Sequence, residues 1–253
     1  MGVHQKIDRV ARRLIAQHMP AGFPTSREIL HFEGLNGPDG IKRKSPAKDE
    51  PWHYVDPTDQ TDRAILDMIN DHIENMAQAF RERNHERIAF EAAWLAHAIV
   101  DGLTPAHHYP LEAKLEELRG GEGLETRRTT KEKLLLPGTT RRMQLRNNWE
   151  FWGARGVMTT HLSFELGVAT TIAPLRFDDV SPTAKEYKRM EDELFEAFFL
   201  ETLHDISEMK MYEEFTKAGW TRQLARETRA VLVPSIIRAV MLAWYQAAAK
   251  AKG

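Results

Sequence analysis

Apolar side chains recur at helical spacing along most of the chain. Ile7, Val10, Ala11, Leu14 and Ile15 fall on one face of a short amphipathic helix that ends by Pro20. Ile65, Met68, Ile69, Ile73, Met76 and Phe80 line a second, with Thr61 placed to cap it, and 88–103 is so nearly apolar that it predicts a helix at the centre of the core. A long helix is expected over 183–217 and a last one over 221–250, bent at Pro234. Two stretches break the period. Between Pro20 and Thr61, the prolines and glycines from Gly34 to Pro57 predict a long ordered loop, and loops of that length usually exist for function. Residues 111–160, interrupted at Gly120-Gly121 and Pro137-Gly138, are the least regular part. No run alternates as a strand does and no segment repeats. The pattern predicts an all-α protein, one multi-helix domain over residues 1–253 with long ordered loops.

Composition narrows this. The chain has 253 residues, enough to bury a full core, with 42% hydrophobic and 28% charged side chains, ordinary soluble values. No apolar run approaches the roughly 20 residues that span a bilayer, so no transmembrane segment is expected. Lys and Arg total 35 against 37 acidic residues, so any attraction to nucleic acid or anionic lipid must be local. It is local in the insertion at about 111–160. Over 127–155, Arg127, Arg128, Lys131, Lys133, Arg141, Arg142, Arg146 and Arg155 face only Glu132 and Glu150. That section reads either as a solvated loop or as a lid over a substrate, and with Trp149, Phe151 and Trp152 it suits lipid headgroups and stacked bases equally. With no cysteine, disulfides and thiolate metal sites are excluded. The first residues, Met1-Gly2-Val3-His4, lack the features of a secretion signal.

The chemistry concentrates in two pairs. His97 and Asp101 are four apart on the predicted central helix, so an imidazole and a carboxylate can converge on one cation. A carboxylate on a buried face is costly, and coordination is one of few remedies. Pro105 fixes the helix exit and can swing His107 back toward the same cavity. His161 and Glu165 repeat the four-residue spacing. Either pair alone also occurs without a metal; two in one cysteine-free chain carry more weight. His108 reads as a surface residue in preference to a partner of the site, and His72, His85 and His204 read as solvated.

The segment from His97 to His107, with Asp101 and Pro105 between, resembles the motif of the zinc-dependent bacterial phospholipases C, whose spacing also appears in the related single-strand-specific fungal-type zinc nucleases. Trp52-His53-Tyr54-Val55-Asp56-Pro57 is similar to an upstream block of both, and His161 with Glu165 to the final ligand pair. The resemblance implies an all-helical hydrolase with two or three zinc ions. A first ion would take His53, His97 and an upstream Asp. Asp39, fourteen residues before His53, is the choice for it, with Asp49 as the fallback. Asp101 would bridge to a neighbouring ion held with His4 and the N-terminal amine. His107, His161 and Glu165 would hold the remaining one. His18 and His31 are less well placed than His4.

The sequence departs from the family in two places. The family's N-terminal Trp is replaced by Met1-Gly2-Val3, and about fifty residues separate His107 from His161, more than in the phospholipases. The implied mechanism is in-line attack on a phosphodiester by hydroxide on the metal, with Asp39 available to orient it. The substrate would be a phospholipid headgroup or another phosphodiester, Thr104-Pro105 and Glu165 favouring the phospholipases. A nuclease acting on single-stranded nucleic acid is the second reading, and a non-catalytic zinc-stabilised binding protein the third. The family is typically secreted, and its toxic members carry an extra membrane-binding β-domain for which this sequence leaves no room, so strong membrane damage is not expected. No protein partner is inferred.

Overall fold

The computed structural model describes residues 2–44 and 53–252. The chain forms α1 (Val3–Ile15), α2 (Ser26–His31), α3 (Pro38–Lys44), α4 (Ala64–Arg81), α5 (His85–Leu103), α6 (Leu111–Leu118) and α7 (Thr130–Leu134). There follow α8 (Arg141–Trp152), α9 (Val157–Ile172), α10 (Ala184–Asp192), α11 (Phe195–Glu208), α12 (Met211–Ala218), α13 (Arg222–Glu227) and α14 (Val233–Lys250). There is no strand among the described residues. The fold is all-α, as the periodicity predicts.

α5 is the axis of the molecule. It starts at Asn84, whose side chain accepts from the Arg87 N–H, and its residues from Leu95 to Leu103 are all buried. α4 packs against it as a hairpin partner, and α14, α1, α2 and α11 close the other sides. Trp244 of α14 is fully buried and donates its indole N–H to the Ala92 carbonyl (2.9 Å). Gly102 sets how closely α11 and α4 approach, since a Cβ there would lie 2.8 Å from Phe199 and 3.0 Å from Ile65.

Several boundaries differ from expectation. The 20–61 stretch contains two short helices. Thr25 and Glu28 form a reciprocal capping box that starts α2. Thr61 does not cap α4. Its hydroxyl bonds Asp59, and α4 begins after Arg63, which pairs with Glu196. The helix expected over 183–217 is three. α10 and α11 part at Leu194, which is 61% exposed where a continuous helix would bury it, and Gln246 of α14 bonds the backbone freed at Phe195, Met190 and Glu193. Lys210, at φ 51°, then divides α11 from α12. The bend expected at Pro234 is a π-helical turn over Thr228–Leu232, just upstream, where the backbone accommodates the missing N–H and the ring. By length and composition 222–250 is apolar enough to cross a membrane. Of its most apolar window, however, 67% lies inside the protein, as in a core helix.

The 111–160 insertion is more regular than its composition predicts. Leu111, Leu115, Leu118, Leu136 and Phe151 form a small core of their own. Buried Asn147 ties α8 to it, donating to the carbonyls of Leu118 and Pro137 (both 2.8 Å). Asn148 pairs with both backbone groups of Leu136.

Candidate metal centre

The last two turns of α5 present His97 and Asp101 toward the same space, as their spacing dictates. Thr104 then ends the helix, its hydroxyl donating to the Val100 carbonyl (2.6 Å), and the turn Pro105–His108 carries His107 back beside Asp101. Asp101 is 2% exposed and surrounded by imidazoles. Its Oδ1 lies 3.2 Å from His4 Nε2 and 3.5 Å from His107 Nε2; its Oδ2 lies 3.2 Å from His97 Nε2 and in close contact with His53 Nδ1. Burial alone would raise the Asp101 carboxyl, but His107, His97, His4 and His53 overrule it and hold it well below the usual range. Burial would likewise depress His97, yet Asp101 and Glu33 hold it well above an ordinary histidine.

Two backbone links order these rings. His107 donates from Nδ1 to the His53 carbonyl (2.6 Å), and the Val55 N–H donates to the His107 carbonyl (3.1 Å). His107 is thereby fixed in the tautomer that turns Nε2 inward. On α9, His161 and Glu165 occupy one face; Glu165 Oε1 lies 3.0 Å from His161 Nε2 and 3.2 Å from His107 Nε2. Against the effect of burial, these two histidines keep Glu165 below the usual carboxylate range. The folded insertion returns the chain to the site across the long His107–His161 separation.

The eight residues singled out by sequence come together in three groups of donor atoms: His4, His97 and Asp101; Asp39, His53 and His97; and His107, His161 and Glu165. Within each group the atoms lie within 4.8 Å of one another, near enough that small side-chain movements would let them share one cation. His53 Nδ1 and His97 Nε2 face each other at 3.4 Å beside an Asp101 oxygen, a concentration of lone pairs that a cation would satisfy. Imidazole and carboxylate donors without thiolate suit zinc. Asp39 stands exposed in the first turn of α3, whose Gly40 passes so near the Leu35 carbonyl that a Cβ would lie 2.1 Å from it. Asp49, Trp52 and Met1 lie outside the described residues. His18 and His31 lie against Tyr187 and Phe32.

Three nearby residues were not foreseen. Glu33 is buried; its Oε1 lies 3.2 Å from His97 Nδ1 and its Oε2 accepts from the Gly34 N–H, so it fixes the ring with Nε2 toward Asp101. Asp8 is 1% exposed with neither oxygen hydrogen-bonded, and burial, then Glu33, pushes its carboxyl well above the usual range. Its signal was available, since His4 and Asp8 repeat the four-residue spacing of His97 and Asp101. Tyr54 places its ring 5.0 Å from His107 and 6.1 Å from His161, and burial, Asp101 and Glu165 keep its hydroxyl protonated.

Two other histidines depart from expectation. His108 is half-buried and donates from Nε2 to the Gly102 carbonyl (2.9 Å); burial lowers it to about 4, so it is neutral at pH 7. His72 is hydrogen-bonded to the fully buried Glu91, so it is not merely solvated.

The fold matches that of a crystallised Clostridium perfringens alpha-toxin from avian strain SWCP, with a TM-score of 0.62 over 98% of this chain at 11% sequence identity. The chain spans 63% of the length of that structure. No protein-family model and no curated protein matches the sequence. The likeness shows that the two chains share an all-α fold.

Proposed function

We propose that this chain is a zinc-dependent phosphodiester hydrolase, phospholipase C-like, holding two or three zinc ions. The observation that carries the reading is the convergence of eight nitrogen- and oxygen-bearing side chains, from α1, α3, α5, α9 and two connecting segments, in three adjoining groups that include the buried Asp101. The fold shared with the alpha-toxin and the resemblance of the His97–His107 motif to that of the zinc-dependent phospholipases C support it.

Zinc bound there would supply Lewis-acid stabilisation of the phosphoryl oxygens and lower the pKa of water. The chain's own groups do the positioning. Glu33 and the His53 carbonyl fix His97 and His107 with Nε2 inward. Asp101 presents one oxygen to each side, which suits a bridging role. Asp39, solvent-facing at the rim, can accept a hydrogen bond from the attacking water and orient it in line with the leaving oxygen.

The test is elemental analysis together with hydrolysis of a choline phosphodiester lipid and of single-stranded DNA, before and after chelation and zinc reloading. Zinc-dependent turnover of the lipid is expected. Two or three bound zinc ions without turnover of either substrate would leave a structural zinc protein, and turnover of DNA alone would make it a nuclease. Asp101→Asn, nearly isosteric, should lower zinc content and activity with the helical circular dichroism retained; full occupancy in that variant would remove its bridging role.

A further inference from the structure

The folded insertion carries a surface that the metal centre does not use. Among the described residues, eight of the twelve exposed large apolar side chains lie between 134 and 166. On α8, Leu145, Trp149 and Trp152 recur at i, i+4 and i+7 and are 73%, 73% and 37% exposed. Leu134 and Leu135, about half exposed, are fastened beside them: the Trp152 indole donates to the Leu134 carbonyl (2.7 Å), and Asn148 holds Leu136 from the same helix edge. The Trp152 ring and the backbone at Leu134 and Leu136 are thus fixed by hydrogen bonds to one another and to α8. α8 packs against α9, where Leu162 and Leu166, both exposed, follow His161 and Glu165 directly.

The charges of the segment are as one-sided as its apolar groups. Arg141, Arg142 and Arg146 are exposed on α8 with no carboxylate partner among the described residues. The two acidic residues of 127–155 are engaged elsewhere, Glu132 in the capping box of Thr129 and Glu150 with Lys114. An apolar stripe of leucine and tryptophan bordered by arginine is the composition of a helix that lies in the headgroup layer of a membrane. A groove for single-stranded nucleic acid needs flat rings on which bases stack, and most of these apolar groups are aliphatic.

We propose that this face of α7 to α9 docks on the surface of a phospholipid bilayer containing anionic headgroups. It rests on the hydrolase reading of the metal centre, because docking there sets the bilayer beside the α9 turns that carry His161 and Glu165. The apolar side chains enter the interfacial layer and the arginines meet its phosphates, so binding weakens as salt screens them.

Sedimentation with vesicles, under chelation so that no lipid is consumed, tests docking separately from catalysis. The full chain should sediment with vesicles of phosphatidylcholine mixed with phosphatidylglycerol, and less with phosphatidylcholine alone. Trp149→Ala and Leu145→Asp should each weaken binding about tenfold while leaving turnover of a soluble choline phosphodiester unchanged. Arg141→Gln combined with Arg142→Gln, which leaves the apolar stripe intact, should abolish the preference for the mixed vesicles. Failure of the wild type to bind vesicles, or variants that bind as well as it does, overturns the proposal. So does a surface that retains a single-stranded oligonucleotide, or a second copy of the chain, in place of vesicles. If vesicle binding is lost in the variants but the zinc-loaded protein cleaves no phosphodiester, docking stands and the hydrolase reading falls.

Discussion

Glu33 and Asp8 are the two buried carboxyl groups nearest the metal centre that the sequence motif does not contain, and they should behave oppositely. Glu33 has a task, fixing the His97 ring through Nδ1. Glu33→Gln keeps the shape and removes the charge, and should weaken zinc binding about 10- to 100-fold in a chelator competition titration. Asp8 has no hydrogen-bond partner. Its folded-state pKa is raised, so the folded chain holds the proton more tightly than the unfolded one. Stability therefore falls as pH rises from the ordinary carboxylate value of 3.8 through the raised one. Asp8→Asn removes that titration. It should match the wild type in metal-free melting near pH 4 and exceed it by about 1–3 kcal/mol near neutrality; a difference that does not grow with pH would show that Asp8 carries no such cost. His97 works in the same direction. Its raised pKa means that the pairing with Asp101 stabilises the metal-free fold fully below about pH 6.5 and is lost as pH rises through the folded value, where a bound cation would replace the proton.

At the scale of the elements, α5 and α4 were legible because their apolar residues keep phase for several turns and nothing interrupts them. What the periodicity could not show is where a helix-competent run breaks. Leu194 continues the apolar pattern between α10 and α11, but the backbone turns there because Gln246, more than fifty residues away, receives the freed groups. α2 was hidden by the surrounding prolines although Thr25 and Glu28 carry a capping box. That the candidate residues would come together was legible for a different reason: the spacings and residue types that coordination would require survive in one line of sequence. Glu33 was not, because a group that only orients a ligand through space can come from any segment. Gly102 belongs to this scale too. Gly102→Ala should destabilise by about 1–3 kcal/mol in urea unfolding, since the added methyl meets Phe199 and Ile65 at 2.8 and 3.0 Å. An unchanged midpoint would mean that α11 can move away freely.

Across the whole molecule, the donors span the sequence from His4 to Glu165 and draw the first helix, the loop at His53, the central helix and α9 to one point. Ions bound there would join segments that are otherwise held by packing and a few hydrogen bonds. At a free zinc concentration about a thousandfold above Kd, the gain should be about 4 kcal/mol, which for a chain of this size is a rise in Tm of roughly 10 °C over the chelated protein. Equal melting with zinc and with chelator would be incompatible with the proposed sites.

The paired bonds between His107 Nδ1 and the His53 carbonyl, and between the Val55 N–H and the His107 carbonyl, have a thermodynamic meaning for such loading. His53 belongs to one donor group and His107 to another. Because the His107 ring holds the His53 carbonyl and Val55 holds the His107 carbonyl, ordering the His107 ring on a metal would also steady the segment that carries His53, and that entropy would not be lost again in filling the next group. Such a clasp would make the separate groups cooperative, and a metal titration should then pass from empty to full over a narrow range of metal concentration.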